Sequence, residues 1–124
     1  MEVEEIKTIN PDNYIGKDVD VVQAIYMETQ YGPALKVISE VIPLVEGDSL
    51  PDDKVLTASK IFGLSKNAAG EIVIAKDGFL HNFLQAKNID PKDMPKYEEN
   101  LEVKKLLGIK CKVQKNKKGY LDIA

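Results

Sequence analysis

Apolar and polar positions alternate with a period of two from Ile15 to Ile42, in IGKDVDVVQAIYMETQYGPALKVISEVI. This pattern predicts one long strand, a turn at Gln30-Tyr31-Gly32-Pro33, and a second strand returning beside the first. Val19, Val21, Ile25 and Met27 fall on one side, in a row broken only by Gln23, while Asp18, Asp20, Tyr26 and Glu28 fall mostly on the other. Leu35, Val37 and Val41 alternate with Lys36 and Glu40 after the turn. A hairpin of this length is not stable alone in water, so the remaining segments are required to cover its apolar face.

Those segments follow in a legible order. Residues 43–53, PLVEGDSLPDD, have loop chemistry, with prolines, a glycine and several carboxylates. Residues 54–64, KVLTASKIFGL, predict a third strand whose blurred alternation suits burial on both faces. Asn67 to Gly70 is a turn, and residues 71–75 suit a short strand paired with the preceding one. A helix is expected from Lys76 or Asp77, with Asp77 as N-cap, Phe79 and Phe83 in the core, and Asn88 as the C-terminal stop. A second short helix is expected from Pro95. IKCKVQ, the turn KNKKG and YLDIA predict a terminal hairpin.

Composition narrows the chemistry. A chain of 124 residues is large enough for one core without disulfides or a structural metal. No apolar run has membrane-spanning length, and the first residues, MEVEEIKTIN, are acidic where a leader is basic; the expectation is a cytoplasmic protein. With one histidine and one cysteine, a zinc site is not expected, and Cys111 suits a buried thiol. All 17 basic residues are lysine, so bidentate guanidinium readout of duplex bases is not available. His81 sits at the edge of the helical apolar stripe, where a structural role is expected. Asp52 and Asp53 suit a solvated loop, and neither GxGxxG nor GxxxxGK[ST] occurs. No enzymatic activity, catalytic residue or cofactor is expected.

The order strand, strand, strand, optional short strand, helix, strand, strand, with a glycine opening the first hairpin at Gly16 and another opening the last at Gly108, resembles the OB-fold family. The resemblance covers residues 14–124 and leaves residues 1–13 as an acidic arm. It implies a mostly β chain with one or two helices, folded as a five-stranded antiparallel Greek-key barrel; a small α+β sandwich is the competing architecture. It also implies a ligand surface across the second and third strands, flanked by the turns at residues 28–33 and 115–119.

Seven of the 17 lysines lie between Lys104 and Lys118. Strand alternation sets Lys110 and Lys112 opposite Ile109, Cys111 and Val113. With Lys36, Lys60, Lys115, Lys117 and Lys118 they predict a cationic stripe for phosphates, with Tyr31 and Tyr120 available to stack bases. The functional expectation is therefore non-enzymatic binding of single-stranded DNA or RNA with little sequence preference, as in DNA replication or repair. The alternative is a protein-interaction or assembly module, in a larger complex or as a homo-oligomer, because the same fold hosts both. Solvated lysine runs that guard a strand edge are the bland reading of the same residues.

Overall fold

Valine, isoleucine, threonine and tyrosine dominate residues 18–29, and this β-branched and aromatic content forms the long first strand, β1 (Asp18–Thr29). The computed structural model describes residues 9–124, so most of the acidic arm expected over residues 1–13 lies outside the described residues. After β1 come β2 (Gly32–Ser39), β3 (Ser59–Gly63), the two-residue strands β4 (Ser65–Lys66) and β5 (Ile72–Val73), the helix α1 (Phe79–Ala86), then β6 (Lys110–Lys115) and β7 (Leu121–Ile123). Five strands form one antiparallel sheet in the order β3-β2-β1-β6-β7, and β4 and β5 form a separate small hairpin. The two end strands approach each other, with Lys60 Nζ of β3 lying 3.9 Å from Asp122 Oδ2 of β7.

The first half of β1 pairs with β6, from Asp18 opposite Lys112 to Asp20 opposite Lys110. The second half pairs with β2, as far as Thr29 opposite Gly32. Between the halves the register shifts at Val21–Gln23, and this bulge inverts the alternation expected for the strand. Val19 and Val21 face the core before it; Ala24 and Tyr26 face the core after it, while Ile25 and Met27 turn to the outer face. The expected row of Val19, Val21, Ile25 and Met27 is corrected accordingly, because one extra residue in a period of two exchanges the faces. Residues 100–103 cover the edge of β1 that β6 leaves bare. Tyr26 N–H donates to Leu101 C=O at 2.9 Å and Val103 N–H to Ala24 C=O at 2.8 Å.

The second helix expected from Pro95 does not form. That segment runs irregularly, with Asn100 left-handed at φ 68°, and a short 3-10 turn follows at Lys104–Leu106. Its Asn100 and Val103 N–H groups donate to β1 carbonyls, which a continuous helix would not allow. The third strand is also shorter than residues 54–64, although Leu56 and Ala58 are buried and their carbonyls accept from Ile42 and Ser39 N–H.

Helix α1 starts one residue later than the expected cap. Asp77 is left-handed (φ 63°), and Gly78 occupies the cap position. Leu80, Phe83 and Leu84 form the buried stripe, with the Phe83 ring 5.0 Å from that of Phe62 on β3. Phe79, expected in the core, is 85% exposed: it opens the helix about a quarter turn from the centre of that stripe. Asn88 adopts φ 62° just past the helix, as a C-terminal stop requires. Lys87 pins this end to the sheet, its Nζ donating to Lys110 C=O at 2.8 Å and Ala124 C=O at 3.1 Å. Cys111 is buried in the core, and burial raises its thiol pKa.

Tyr14 anchors the acidic loop of residues 43–53. Its hydroxyl donates to Asp48 Oδ2 at 2.7 Å and accepts from Val45 N–H at 3.1 Å, with the ring fully buried. Burial, then the Asp48 carboxylate, raise the phenol's pKa, so it remains a donor at neutral pH. Tyr14→Phe leaves Val45 N–H without its acceptor and is expected to destabilise the fold by about 1–2 kcal/mol in denaturant unfolding. Hydrogen exchange at the Val45 amide is expected to accelerate by a larger factor than at the Val37 amide in β2; uniform acceleration across both would disprove the anchoring role.

Candidate nucleic-acid interface

Lysines 110 and 112 project from the outer face of β6, as strand alternation requires, but they meet carboxylates there. Lys110 Nζ donates to Asp20 Oδ1 at 2.9 Å, Lys112 Nζ to Asp18 Oδ1 at 2.5 Å, and Lys115 Nζ to Asp12 Oδ1 at 2.8 Å. The pairing follows from register, since β1 sets Asp18 and Asp20 directly opposite Lys112 and Lys110. Lys60 is half-buried, next to Asp122 and 5.6 Å from the centre of the Phe62 ring. A phosphate approaching this β6 face meets a ladder of alternating charge.

The two turns also lie apart. Strand β1 runs toward Tyr31, whereas β6 runs antiparallel to it and reaches Lys117, Lys118 and Tyr120 beyond the opposite end. At about 3.3 Å per residue, the 12 residues of β1 separate those ends by up to about 40 Å along the strand. Tyr31 is 90% exposed and Tyr120 is exposed as well, but the fold does not bring the two rings together. Among the described residues, Lys36, Lys117 and Lys118 have no carboxylate within 4.0 Å.

Lys36 stands on the outer face of the sheet made by β1, β2 and β3. Register aligns three rows there: Gln23, Ile38 and Ser59; Ile25, Lys36 and Ile61; Met27, Ala34 and Gly63. Lys36 is the one charged position in these rows, and Ile61 is 53% exposed.

A further concavity lies elsewhere, at the end of the sheet near the β1–β2 turn. It is a cleft of about 650 Å³ between the β4–β5 hairpin, α1 and residues 90–97. Leu64, Ile72 and Ile74 line one wall and Met94 and Tyr97 the other, while His81 and Gln85 project from α1. Tyr26 closes the floor: its hydroxyl donates to Pro95 C=O at 2.7 Å, and its ring centre lies 5.4 Å from that of Tyr97. Burial raises the pKa of both phenols, with Glu28 and Glu99 adding to the effect at Tyr97. The 90–97 wall is held in shape by a 3-10 turn at Pro91–Asp93, whose cap Asp90 accepts from Lys92 N–H at 2.9 Å.

Three lysines, Lys76, Lys92 and Lys96, line the cleft against one carboxylate, Asp90. All three are exposed, and among the described residues none lies within 4.0 Å of a carboxylate. Sequence reasoning missed this group. The available signal was the repeated dipeptide of Pro91-Lys92 and Pro95-Lys96, which fixes two backbone positions beside two ammonium groups. His81, expected to be structural, lines the cleft, and its Nδ1 is buried without a hydrogen-bond partner. Among the described residues no cluster of metal-ligating side chains occurs, and no helix is long and apolar enough to cross a membrane. Comparison with protein-family models, curated proteins and solved structures returned no match.

The charge ladder on β6 has a pH signature. The hydrogen bond from Lys112, then its charge, hold the Asp18 carboxyl below the usual aspartate range. Such a group contributes stability that is fully present above its unfolded pKa and is lost as pH falls through the folded one. The Lys110 ammonium is held above the usual lysine range by the Asp20 hydrogen bond and charge, so its contribution is lost as pH rises through that raised value. Thermal melts of the parent and of Asp18→Asn are expected to differ slightly at neutral pH and to converge as pH falls through the lowered folded pKa of Asp18. A difference that persists undiminished in acid would show that Asp18 acts through something other than its charge.

Proposed function

We propose that the chain is an OB-fold barrel that binds single-stranded nucleic acid without catalysis, using the lysine-lined cleft in place of the β6 face. The barrel reading is supported by the strand order, by the contact between end strands β3 and β7, and by a helix inserted between the third and fourth strands of the main sheet. The observation that carries the function is the convergence of Lys76, Lys92 and Lys96, free of ion pairs among the described residues, on walls made of aliphatic and tyrosine side chains. Ammonium groups beside ring and aliphatic surface suit phosphates and unstacked bases together. A net charge of −3 supplies no long-range attraction, so binding depends on this local cluster. A cytoplasmic role in DNA replication or repair, where single strands are exposed, is consistent with this chemistry.

Anisotropy titration of labelled oligo-dT tests the proposal. Three phosphate contacts give a slope of log K against log salt of about −2, and each lysine lost reduces it by about 0.7. Changing Lys76, Lys92 and Lys96 together to Gln is expected to abolish measurable binding, while Lys110→Gln with Lys112→Gln leaves most of it. Absence of binding at low salt, or loss only in the β6 variant, would overturn the proposal.

A second reading, a protein-interaction module, is favoured by one observation: Ile25, Met27, Ile38 and Ile61 share an outer sheet face, the first three half-buried and Ile61 exposed. Aliphatic side chains without a ring suit a protein contact better than a base. If that contact is between copies, sedimentation is expected to detect an oligomer that Ile61→Glu dissociates; a monomer at every concentration would sink self-association.

A further inference from the structure

The lining of the cleft is sorted by chemistry. Its cations, Lys76, Lys92 and Lys96, end flexible side chains on exposed residues. Its walls are apolar, with Leu64, Ile72 and Ile74 facing Met94 and the Tyr97 ring. From α1, one turn apart, come His81 and Gln85: the exposed Gln85 amide makes no hydrogen bond among the described residues, and the His81 ring lines the cleft, with its Nδ1 buried and unpartnered. A bare phosphate would leave the apolar walls unused. A fatty acid would use the walls and a lysine but make no use of the imidazole and the amide.

We propose that the cleft takes a single nucleotide as a unit, with the base between the apolar walls, its polar edge at His81 and Gln85, and its phosphate at the lysines. The ligand class is a nucleoside monophosphate, free or as one residue of a strand. The volume of about 650 Å³ lies within the range of small-molecule sites. This inference rests on the nucleic-acid reading above and sharpens it: the strand is held by one inserted nucleotide, not by a track of phosphates along the sheet. Asp90, the carboxylate in the lining, is engaged with Lys92 N–H, which orients it toward its own turn.

Heteronuclear NMR titration of the full chain with thymidine monophosphate, thymidine and inorganic phosphate separates the contributions. The monophosphate is expected to give saturable shifts in residues 72–76, at His81 and Gln85, and in residues 92–97. Thymidine is expected to bind the same residues about tenfold more weakly, and phosphate alone more weakly still. Gln85→Leu, at an exposed position outside the core, and His81→Phe are each expected to weaken the monophosphate several-fold while leaving spectral dispersion intact. Phosphate alone binding as well as the monophosphate would overturn the inference, as would monophosphate shifts unaffected by both substitutions. If oligo-dT binds while the monophosphate does not, the inference fails and the function stands; if the monophosphate binds and oligo-dT does not, the function fails and the cleft remains a nucleotide site.

Discussion

Strand β1 has two neighbours on opposite terms, β6 along its first residues and β2 along the rest, and the bulge at Val21–Gln23 lets one strand serve both. A bulge adds local twist and bends the chain, so the sheet curls until β3 and β7, the ends of its strand order, come into contact. The same extra residue exchanges the faces of β1. Tyr26 turns inward to become the floor of the cleft, and Ile25 and Met27 turn outward to join Ile38 and Ile61. Without the bulge, a tyrosine would stand on the outer sheet and two aliphatic side chains would point into the core.

The cleft depends on this inversion and on what the rest of the chain does about it. Once Tyr26 faces inward, its hydroxyl needs a partner, and the Pro95 carbonyl provides one. That bond, together with the backbone pairs from residues 100–103 to β1, holds the 90–97 segment against the end of the sheet as a largely irregular wall around the 3-10 turn at Pro91–Asp93. The β4–β5 hairpin, which follows β3 after a single residue, forms the facing wall. The site is thus assembled largely from segments with little regular secondary structure, with α1 contributing His81 and Gln85 and the end of one long strand supplying the floor.

The two lysine groups show how placement decides what a charge can do. On β6, antiparallel register sets each ammonium against an aspartate of β1 or of the turn before it, and exposed pairs of this kind contribute little to stability while cancelling each other's field. Around the cleft, three lysines approach apolar walls with one carboxylate among them, already bonded to the backbone of its own turn. Equal numbers of lysines therefore make a neutral ladder in one place and a cationic rim in the other.

The amino-acid sequence by itself determined the elements whose signals are local. Alternation and β-branching specified the long hairpin and the terminal pair, the spacing of Phe79, Leu80, Phe83 and Leu84 specified the helix though not the exposure of Phe79, and Asn88 specified its stop. It determined too that every basic side chain except His81 is a lysine, with no guanidinium fork among them. Only the tertiary structure decided which face each side chain occupied, because a single bulge inverts a period of two and Gln23 alone does not announce one. It alone decided the company of each charge. Asp18 and Lys112, 94 positions apart, meet through strand register, and Lys76, Lys92 and Lys96 gather through the folding of loops around Tyr26. Register and loop packing are long-range consequences of burying one apolar face, and no local window of residues contains them.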